Sequence, residues 1–248
     1  NQFLIDICIT DQSDISVLST NKLNCILNGK GNSLEVISLF KDKYLMYKLA
    51  REKGIMTPGT YLLHPNQKIS CQLTNNNVII KPVDSQSSKG LQFFESLHDI
   101  TEEKLINTRN FSSDGRVLVQ EFIKGDEYTF EGIIDSNKHY TTAVSRKIHY
   151  PSNPGVACRL DFFDPDKSKE VSSFIESHDT FIHSTGLKNS LTHSEYIYKN
   201  GIFYLIEIAA RGGGTCISSH IVEKISGINP QKTLIKLLTS KTVDLNKE

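Results

Sequence analysis

Residues 193–214, HSEYIYKNGIFYLIEIAARGGG, are the most informative stretch of this sequence. Two runs rich in β-branched and aromatic residues flank the polar triplet Lys199, Asn200 and Gly201, a pattern typical of a β-hairpin. A three-residue loop with Gly201 in the left-handed conformation joins such strands without strain. The stretch therefore predicts two paired antiparallel strands.

The predicted loop sets which side chains share a face of this hairpin. It places Glu195 opposite Leu205 and His193 opposite Glu207, so that His193 and both acids lie on one side. A two-residue loop would instead place the acids on opposite faces. In the three-residue register the two acids are diagonal neighbours, about 7–8 Å apart at the backbone, and can converge on Mg²⁺. The alternative is an exposed face with two hydrated acids.

An arginine and three glycines follow the second strand. Arg211 can hold a carboxylate or a phosphate, and the glycines at 212–214 let the backbone approach a ligand closely. His193 and Gly213 are thus candidate substrate contacts. Cys216 shows no activating base in the sequence, which favours a small packed residue over a nucleophile.

Residues 78–91, VIIKPVDSQSSKGL, predict a buried strand followed by a small polar loop. The strand carries Lys81, which supplies a positive charge. Ser87, Ser88 and Gly90 lack bulk, so that backbone N–H groups and hydroxyls could close over a triphosphate. The alternative is an ordinary polar turn, because Ser- and Gly-rich loops are common.

Residues 117–134, VLVQEFIKGDEYTFEGII, predict a strand, a turn and a second strand. The edge of the first strand can offer a carbonyl and an N–H group to adenine, and Glu127 beyond the turn can accept hydrogen bonds from ribose hydroxyls. The candidate nucleotide contacts on the first strand are Gln120, Glu121, Phe122 and Ile123. The alternative is a hairpin with surface acids.

The rest of the chain surrounds these segments with more strands and with single helices. Further strands are expected near 61–64, 91–94 and 139–148, and helices near 41–53, 102–108, 169–185, 217–225 and 230–238. Hairpin-joined strands with interspersed helices indicate an α+β fold with antiparallel sheets. Residues 1–40 differ, with short strand candidates at 4–9 and 25–27, and are interpreted as the remnant of a preceding α/β domain.

Composition narrows the function classes. Lys plus Arg equals Asp plus Glu, at 28 each in 248 residues, which argues against nucleic acid as a partner. No apolar run approaches the roughly 20 residues needed to cross a bilayer, so no membrane partner is expected. Five scattered cysteines without a CxxC pair favour a reduced, cytoplasmic protein. The sequence leaves open whether the chain forms a homodimer.

Taken in order, these segments resemble the ATP-grasp superfamily over roughly residues 40–240. The resemblance implies ATP and Mg²⁺ as cofactors, with Glu195 and Glu207 as the metal ligands and Arg211 holding the transferred phosphate. It assigns Lys43, in KDKYLMYKLAREKG, and Lys147, in AVSRKIHYP, to the phosphates, and it makes Lys147 and Arg211 the catalytic pair. Many members carry an asparagine where this chain has Ala209.

The resemblance also implies a domain plan and a reaction. An ATP-grasp domain would occupy residues 41–248, with a lid subdomain at about 57–122 and a C-terminal subdomain at about 123–248 that together grip the nucleotide. Substrate-contacting loops lie near residues 151–163 in relatives, where Arg159 could bind a second carboxylate or be exposed to solvent.

The implied activity is ligation of a small-molecule carboxylate to an amine through an acyl phosphate. The rivals are an inactive nucleotide-binding regulatory module of the same fold and a biotin-carboxylase-like enzyme.

Overall fold

A computed structural model describes residues 4–70, 73, 77–151 and 153–239. The helices are α1 Asp14–Asn28, α2 Leu34–Lys41, α3 Lys43–Glu52, α4 Glu102–Arg109, α5 Lys169–Ser184, α6 Val222–Ser226 and α7 Pro230–Leu238. The strands are β1 Thr60–Leu63, β2 Val78–Pro82, β3 Gln92–Phe94, β4 Val117–Glu121, β5 Asp126–Ile134, β6 His139–Tyr150, β7 Asn153–Phe163, β8 Ser190–Lys199 and β9 Ile202–Ala209. They form two antiparallel sheets, which confirms the predicted α+β class.

The smaller sheet has the strand order β1-β4-β2-β3. Its outer face buries Val78, Ile80 and Val119 in a cluster that also includes Leu105 of α4. Side chains alternate along a strand, so Lys81 and its cross-strand neighbour Leu118 lie on the inner face. Leu118 joins the main core of the protein, and the inner face therefore looks toward the larger sheet.

The larger sheet has the strand order β7-β6-β5-β8-β9. One face packs against α5 through an aromatic cluster in which Phe174 stacks on Phe203 at 4.4 Å and meets Phe130 edge to face at 5.7 Å. The opposite face carries the polar side chains of the candidate site. Hydrophobic burial on one side thus leaves the other side free for chemistry.

The sequence does not predict one of the observed strands, β7. The family resemblance predicts substrate-contacting loops in the segment 151–163, but the structure forms strand β7, Asn153–Phe163, there, paired with β6. The prolines and the glycine within PSNPG read as turn signals. Because β7 is an edge strand, a proline there disturbs no central ladder, and the signal was misleading.

The strands expected near the N terminus are wrong. Residues 4–9 have no regular secondary structure, and residues 25–27 belong to α1. The buried face of α1 carries Asn21 and Asn24, which hides its helical hydrophobic pattern. Their amides bond the backbone of Asn32 and Cys8 at 2.6–2.8 Å, so burial is compensated by hydrogen bonds.

Across the described part of the chain, no helix is both long and apolar enough to span a membrane.

Candidate active site

The hairpin of β8 and β9 brings the two predicted metal ligands together by a route that differs from the predicted one. Its loop has two residues, Asn200 and Gly201, with φ of 52° and 84°, and not three. A two-residue loop by itself would place Glu195 and Glu207 on opposite faces of the hairpin. A β-bulge, however, shifts the pairing between Glu195 and Tyr196. Glu195 then lies directly opposite Glu207. The shared face is confirmed, while the three-residue loop and the His193–Glu207 pairing are wrong.

Glu195 belongs to a row of charged groups across three neighbouring strands. Lys147 of β6 donates to Glu195 at 2.5 Å and to Glu127 of β5 at 2.7 Å, and His149 contacts the other oxygen of Glu127 at 2.8 Å. Burial would lower the pKa of Lys147, but Glu195 and Glu127 raise it above its usual value. The same lysine holds the pKa of Glu195 well below its usual range against the effect of burial.

Glu207 is paired with Lys43, the first residue of α3. The Nζ atom of Lys43 lies 3.1 Å from Glu207 and donates to the carbonyl of Ser85 at 2.5 Å. Asp42 caps α3 by accepting from the N–H groups of Tyr44 and Leu45, which fixes where Lys43 emerges. Lys43 thus connects the polar loop after β2 to the acid pair.

Lys81 is buried on the inner face of the small sheet. Its Nζ atom donates to the hydroxyl of Tyr47 at 2.7 Å. Burial, with the nearby charge of Lys43, lowers the pKa of Lys81 to about 7. An anion that enters the cleft would stabilise the charged form of Lys81.

A buried carboxylate that sequence reasoning missed supports His193. Glu131 is 2% exposed, contacts Nδ1 of His193 at 2.6 Å and accepts from the N–H of Gly213 at 2.9 Å. Burial would lower the pKa of His193, but Glu131 and Glu195 raise it to about 10. Glu131 lies four residues after Glu127 in β5, so period-two alternation places both on one face and was the available signal.

Arg211 is held by a residue from the segment that was interpreted as a remnant. Its Nε and one terminal nitrogen donate to the two oxygens of Asp14 at 2.7 Å each. The next residue, Gly212, donates its N–H to the carbonyl of Asp11 at 2.8 Å. Lys43, Glu207 and Asp14 line one cavity, so the first turn of α1 contributes directly to the candidate site.

The candidate adenine edge lies where β4 ends. Gln120 is fully buried and donates to Thr60 at 2.8 Å, while its Oε1 atom has no hydrogen-bond partner among the described residues. The Glu121 carboxylate accepts from the N–H of Gly59 at 3.3 Å, and Phe122 donates its N–H to Asn77 at 3.0 Å. Ile123 is buried beyond the strand end.

The polar loop after β2 contains three residues in the left-handed region of backbone conformation. Ser87, Ser88 and Gly90 all have positive φ, at 56°, 55° and 77°. A Cβ atom on Gly90 would lie 2.9 Å from both Phe111 and Pro82, so the position has no room for a side chain. Ser88 donates to the carbonyl of Gly155 at 3.0 Å and so connects the small sheet to β7.

Arg159 is not brought into this group. It is paired with Asp161 at 2.8 Å and its side chain is 65% exposed. In the β6–β7 register Leu160 lies opposite Lys147, so Arg159 points to the other face of the sheet.

A separate polar cluster lies between α5 and the larger sheet. His139, His178 and Asp179 bring ligand atoms within 4.8 Å of one another. Both ring nitrogens of His139 are already engaged, by Asp179 and by Thr192, at 2.7 Å each. His178 contacts Tyr196 through Nδ1 at 2.9 Å, while its Nε2 atom has no hydrogen-bond partner among the described residues, so the cluster is a core network with one unsatisfied atom.

The geometry gathers two opposed carboxylates, three lysines and an arginine beside a glycine-containing loop and an open strand end. A family model described as the ATP-grasp domain matches residues 40–215, more than half of the chain. The chain belongs to the ATP-grasp family. The chain matches about half of the length of one curated relative and about a third of the length of another.

Two curated proteins are similar to this ATP-grasp chain. Dapdiamide A synthase of Enterobacter agglomerans is 24% identical over 206 residues, which cover 79% of this chain and 48% of that protein. A D-alanine–D-alanine ligase of Syntrophotalea carbinolica is 32% identical over 105 residues, which cover 42% of this chain and 33% of that protein.

Solved structures share the ATP-grasp fold. The L-amino acid ligase of Bacillus licheniformis superposes with a TM-score of 0.76 at 19% identity, covering 96% of this chain and 58% of that one. A D-alanine–D-alanine ligase of Bacillus anthracis in complex with ATP gives 0.63 at 17% identity, covering 84% of this chain and 69% of that one.

Proposed function

We propose that this chain carries the ATP- and Mg²⁺-binding centre of a ligase that joins a carboxylate to an amine. The observation that carries the proposal is the direct opposition of Glu195 and Glu207 within a ring of cationic side chains. Two acids on adjacent strands have Cβ atoms about 4.5–5.5 Å apart. The ring supplies the positive charge that a triphosphate requires.

The donor set fits a magnesium ion. Carboxylate oxygens are the protein ligands that this hard cation prefers, and each acid is now neutralised by a lysine, Glu195 by Lys147 and Glu207 by Lys43. Ala209 provides no side-chain oxygen, so the coordination would rest on the two glutamates, phosphate oxygens and water. When bound, the ion would neutralise phosphate charge.

The same centre would offer separate contacts to the adenine, the ribose and the phosphates of a nucleotide. The buried, unpaired Oε1 of Gln120 can accept from the amino group of adenine, with the backbone of residues 121–123 along its edge. Glu127 would bind the ribose hydroxyls. Lys43 and Lys81 would bind the phosphates, and the loop with Ser87, Ser88 and Gly90 would cover them.

The proposed reaction has two displacements. A substrate carboxylate oxygen attacks the γ-phosphorus of ATP and ADP leaves, giving an acyl phosphate. An amine then attacks the carbonyl carbon, loses a proton and displaces inorganic phosphate. Lys147 and Arg211 would stabilise the charge on the transferred group, and His193 and Gly213 would contact the substrate.

The comparisons support the ligase over its rivals. Both curated relatives bear names of amide-forming enzymes, and the structural neighbours include an L-amino acid ligase. A biotin carboxylase of Campylobacter jejuni also superposes, with a TM-score of 0.70 at 15% identity, which supports the fold alone.

We also propose that the lid corresponds to about 57–122 and the C-terminal subdomain to about 123–248.

The decisive experiment measures Mg²⁺-dependent ADP release with a panel of amino acids as carboxylates and amines. We expect ADP and an amide product in equal amounts, and loss of at least 100-fold activity in Glu195→Gln and Glu207→Gln. Glu176→Gln, an exposed acid on α5, serves as the matched control. Tight ATP binding without turnover for any amine would instead identify a regulatory module.

A further inference from the structure

The bulge in β9 is the feature that places Glu207 beside Glu195. Glu195 pairs with Glu207 and Tyr196 pairs with Leu205, which leaves Ile206 as the extra residue. Side chains alternate between faces, so a two-residue turn without the bulge would direct Glu207 to the face opposite Glu195. The acid pair therefore depends on one local irregularity.

A bulge disrupts the ladder, and the backbone groups that it displaces need partners elsewhere. The carbonyl of Ile206 accepts a hydrogen bond from the hydroxyl of Tyr47 at 2.5 Å. Tyr47 belongs to α3, which covers the outer edge of β9, and its side chain is fully buried. The hydroxyl thus satisfies the carbonyl of the extra residue.

The same hydroxyl contacts the lysine of the small sheet. Lys81 donates to Tyr47 at 2.7 Å, and because the carbonyl of Ile206 can only accept, the hydrogen of the hydroxyl is directed to Ile206. The chain of Lys81, Tyr47 and Ile206 joins the two sheets across the cleft. The burial of Tyr47 and Lys81 strengthens such a chain.

We propose that Tyr47 is a positioning residue that fixes the β9 bulge, and with it Glu207, while it holds Lys81 on the inner face of the small sheet. This inference rests on the metal- and nucleotide-binding part of the proposed function, since it assigns Tyr47 a role toward that centre. Tyr47 acts through Ile206 and Lys81 and need not touch the substrate.

The test compares two variants that each lose one buried phenol hydroxyl. Tyr47→Phe removes the bond to Ile206, and Tyr196→Phe removes the bond to His178 in the core beneath α5. Enzyme-bound Mn²⁺ is measured by electron paramagnetic resonance at saturating ADP, and ADP affinity is measured by calorimetry without metal. Thermal midpoints of both variants show the general cost of losing a hydroxyl.

We expect Tyr47→Phe to weaken Mn²⁺ binding about tenfold, a factor that equals about 1.4 kcal/mol, and metal-free ADP binding several-fold. Tyr196→Phe should keep both affinities within twofold of wild type. Equal affinities in the two variants would overturn the proposal.

A second substitution separates positioning from general stability. Tyr47→p-aminophenylalanine keeps an N–H donor for Ile206, and we expect it to restore Mn²⁺ affinity; a folded variant without recovery overturns the proposal. If neither Tyr47 variant folds while Tyr196→Phe does, Tyr47 is a general core residue and the proposal also fails. Wild-type metal and ADP binding without amide formation would reject the ligase function but leave this inference standing.

Discussion

Replacing Glu131 with glutamine should destabilise the protein strongly, because this carboxylate is buried between two donors. It contacts Nδ1 of His193 at 2.6 Å and accepts from the N–H of Gly213 at 2.9 Å. Glutamine keeps one carbonyl oxygen and replaces the other with an NH₂ group, so it cannot accept from both partners. His193 would also lose one of its two counter-ions and keep only Glu195, at 3.1 Å from its Nε2 atom.

The magnitude follows from burial. Glu131 is 2% exposed and His193 is 7% exposed, so solvent cannot replace the lost partner. Breaking a buried ion pair by removing one charge costs about 3–5 kcal/mol. We therefore expect the free energy of unfolding of Glu131→Gln to fall by that amount at pH 7.

The effect should depend on pH. The pKa of His193 is raised from 6.5 to about 10, since the carboxylates outweigh its burial, so the folded protein binds this proton more tightly than the unfolded chain. The stabilisation is complete below pH 6.5 and declines as the pH rises through about 10. The difference between wild type and variant should shrink over that window.

Urea unfolding of the metal-free protein, followed by circular dichroism between pH 6 and 10, measures this difference. Glu176→Gln removes the same charge at an exposed position of α5 and should stay within about 0.5 kcal/mol of wild type. A Glu131→Gln variant as stable as Glu176→Gln, or a difference that grows as the pH rises, would refute the assignment of a buried charged pair.

Two further predictions concern the turn and the arginine. Gly201→Ala should lower the free energy of unfolding by about 1–2 kcal/mol, because Gly201 has a φ of 84°, which is unfavourable for alanine. Crowding does not contribute, since nothing lies within 4 Å of a Cβ atom added there. Gly214→Ala is equally uncrowded but has no positive φ, and it should show no such loss in the same urea assay. Asp14→Asn should lower the turnover number of the proposed ligase about tenfold by loosening Arg211, with ADP affinity unchanged in calorimetry. Asp161→Asn, which breaks the exposed pair with Arg159, should leave turnover unchanged, and equal rates for the two variants would contradict the role of Asp14.

Local sequence determined most of the elements. Apolar alternation and turn residues identify β5, β6, β8 and β9, and the expected helix near 230–238 matches α7. These patterns depend on neighbours a few residues apart, which a sequence displays directly. The family follows from the same local motifs.

Other features of the site depend on partners that are distant in sequence. Asp14 and Arg211 are 197 residues apart, and Glu131 and His193 are 62 apart. Neither acid stands out locally, because any strand or loop acid can be hydrated at a surface. Burial keeps solvent from the Glu131–His193 pair, and two hydrogen bonds hold Arg211 to the partly exposed Asp14.

The sequence by itself determined that two acids would occur on paired strands near a cluster of cations. Only the tertiary structure decided that they share a face, since the two-residue turn separates them and the bulge at Ile206 reunites them. A shift of one residue reverses every later side chain, and no local propensity sets it. It is set by the packing of α3, whose Tyr47 satisfies the carbonyl of Ile206.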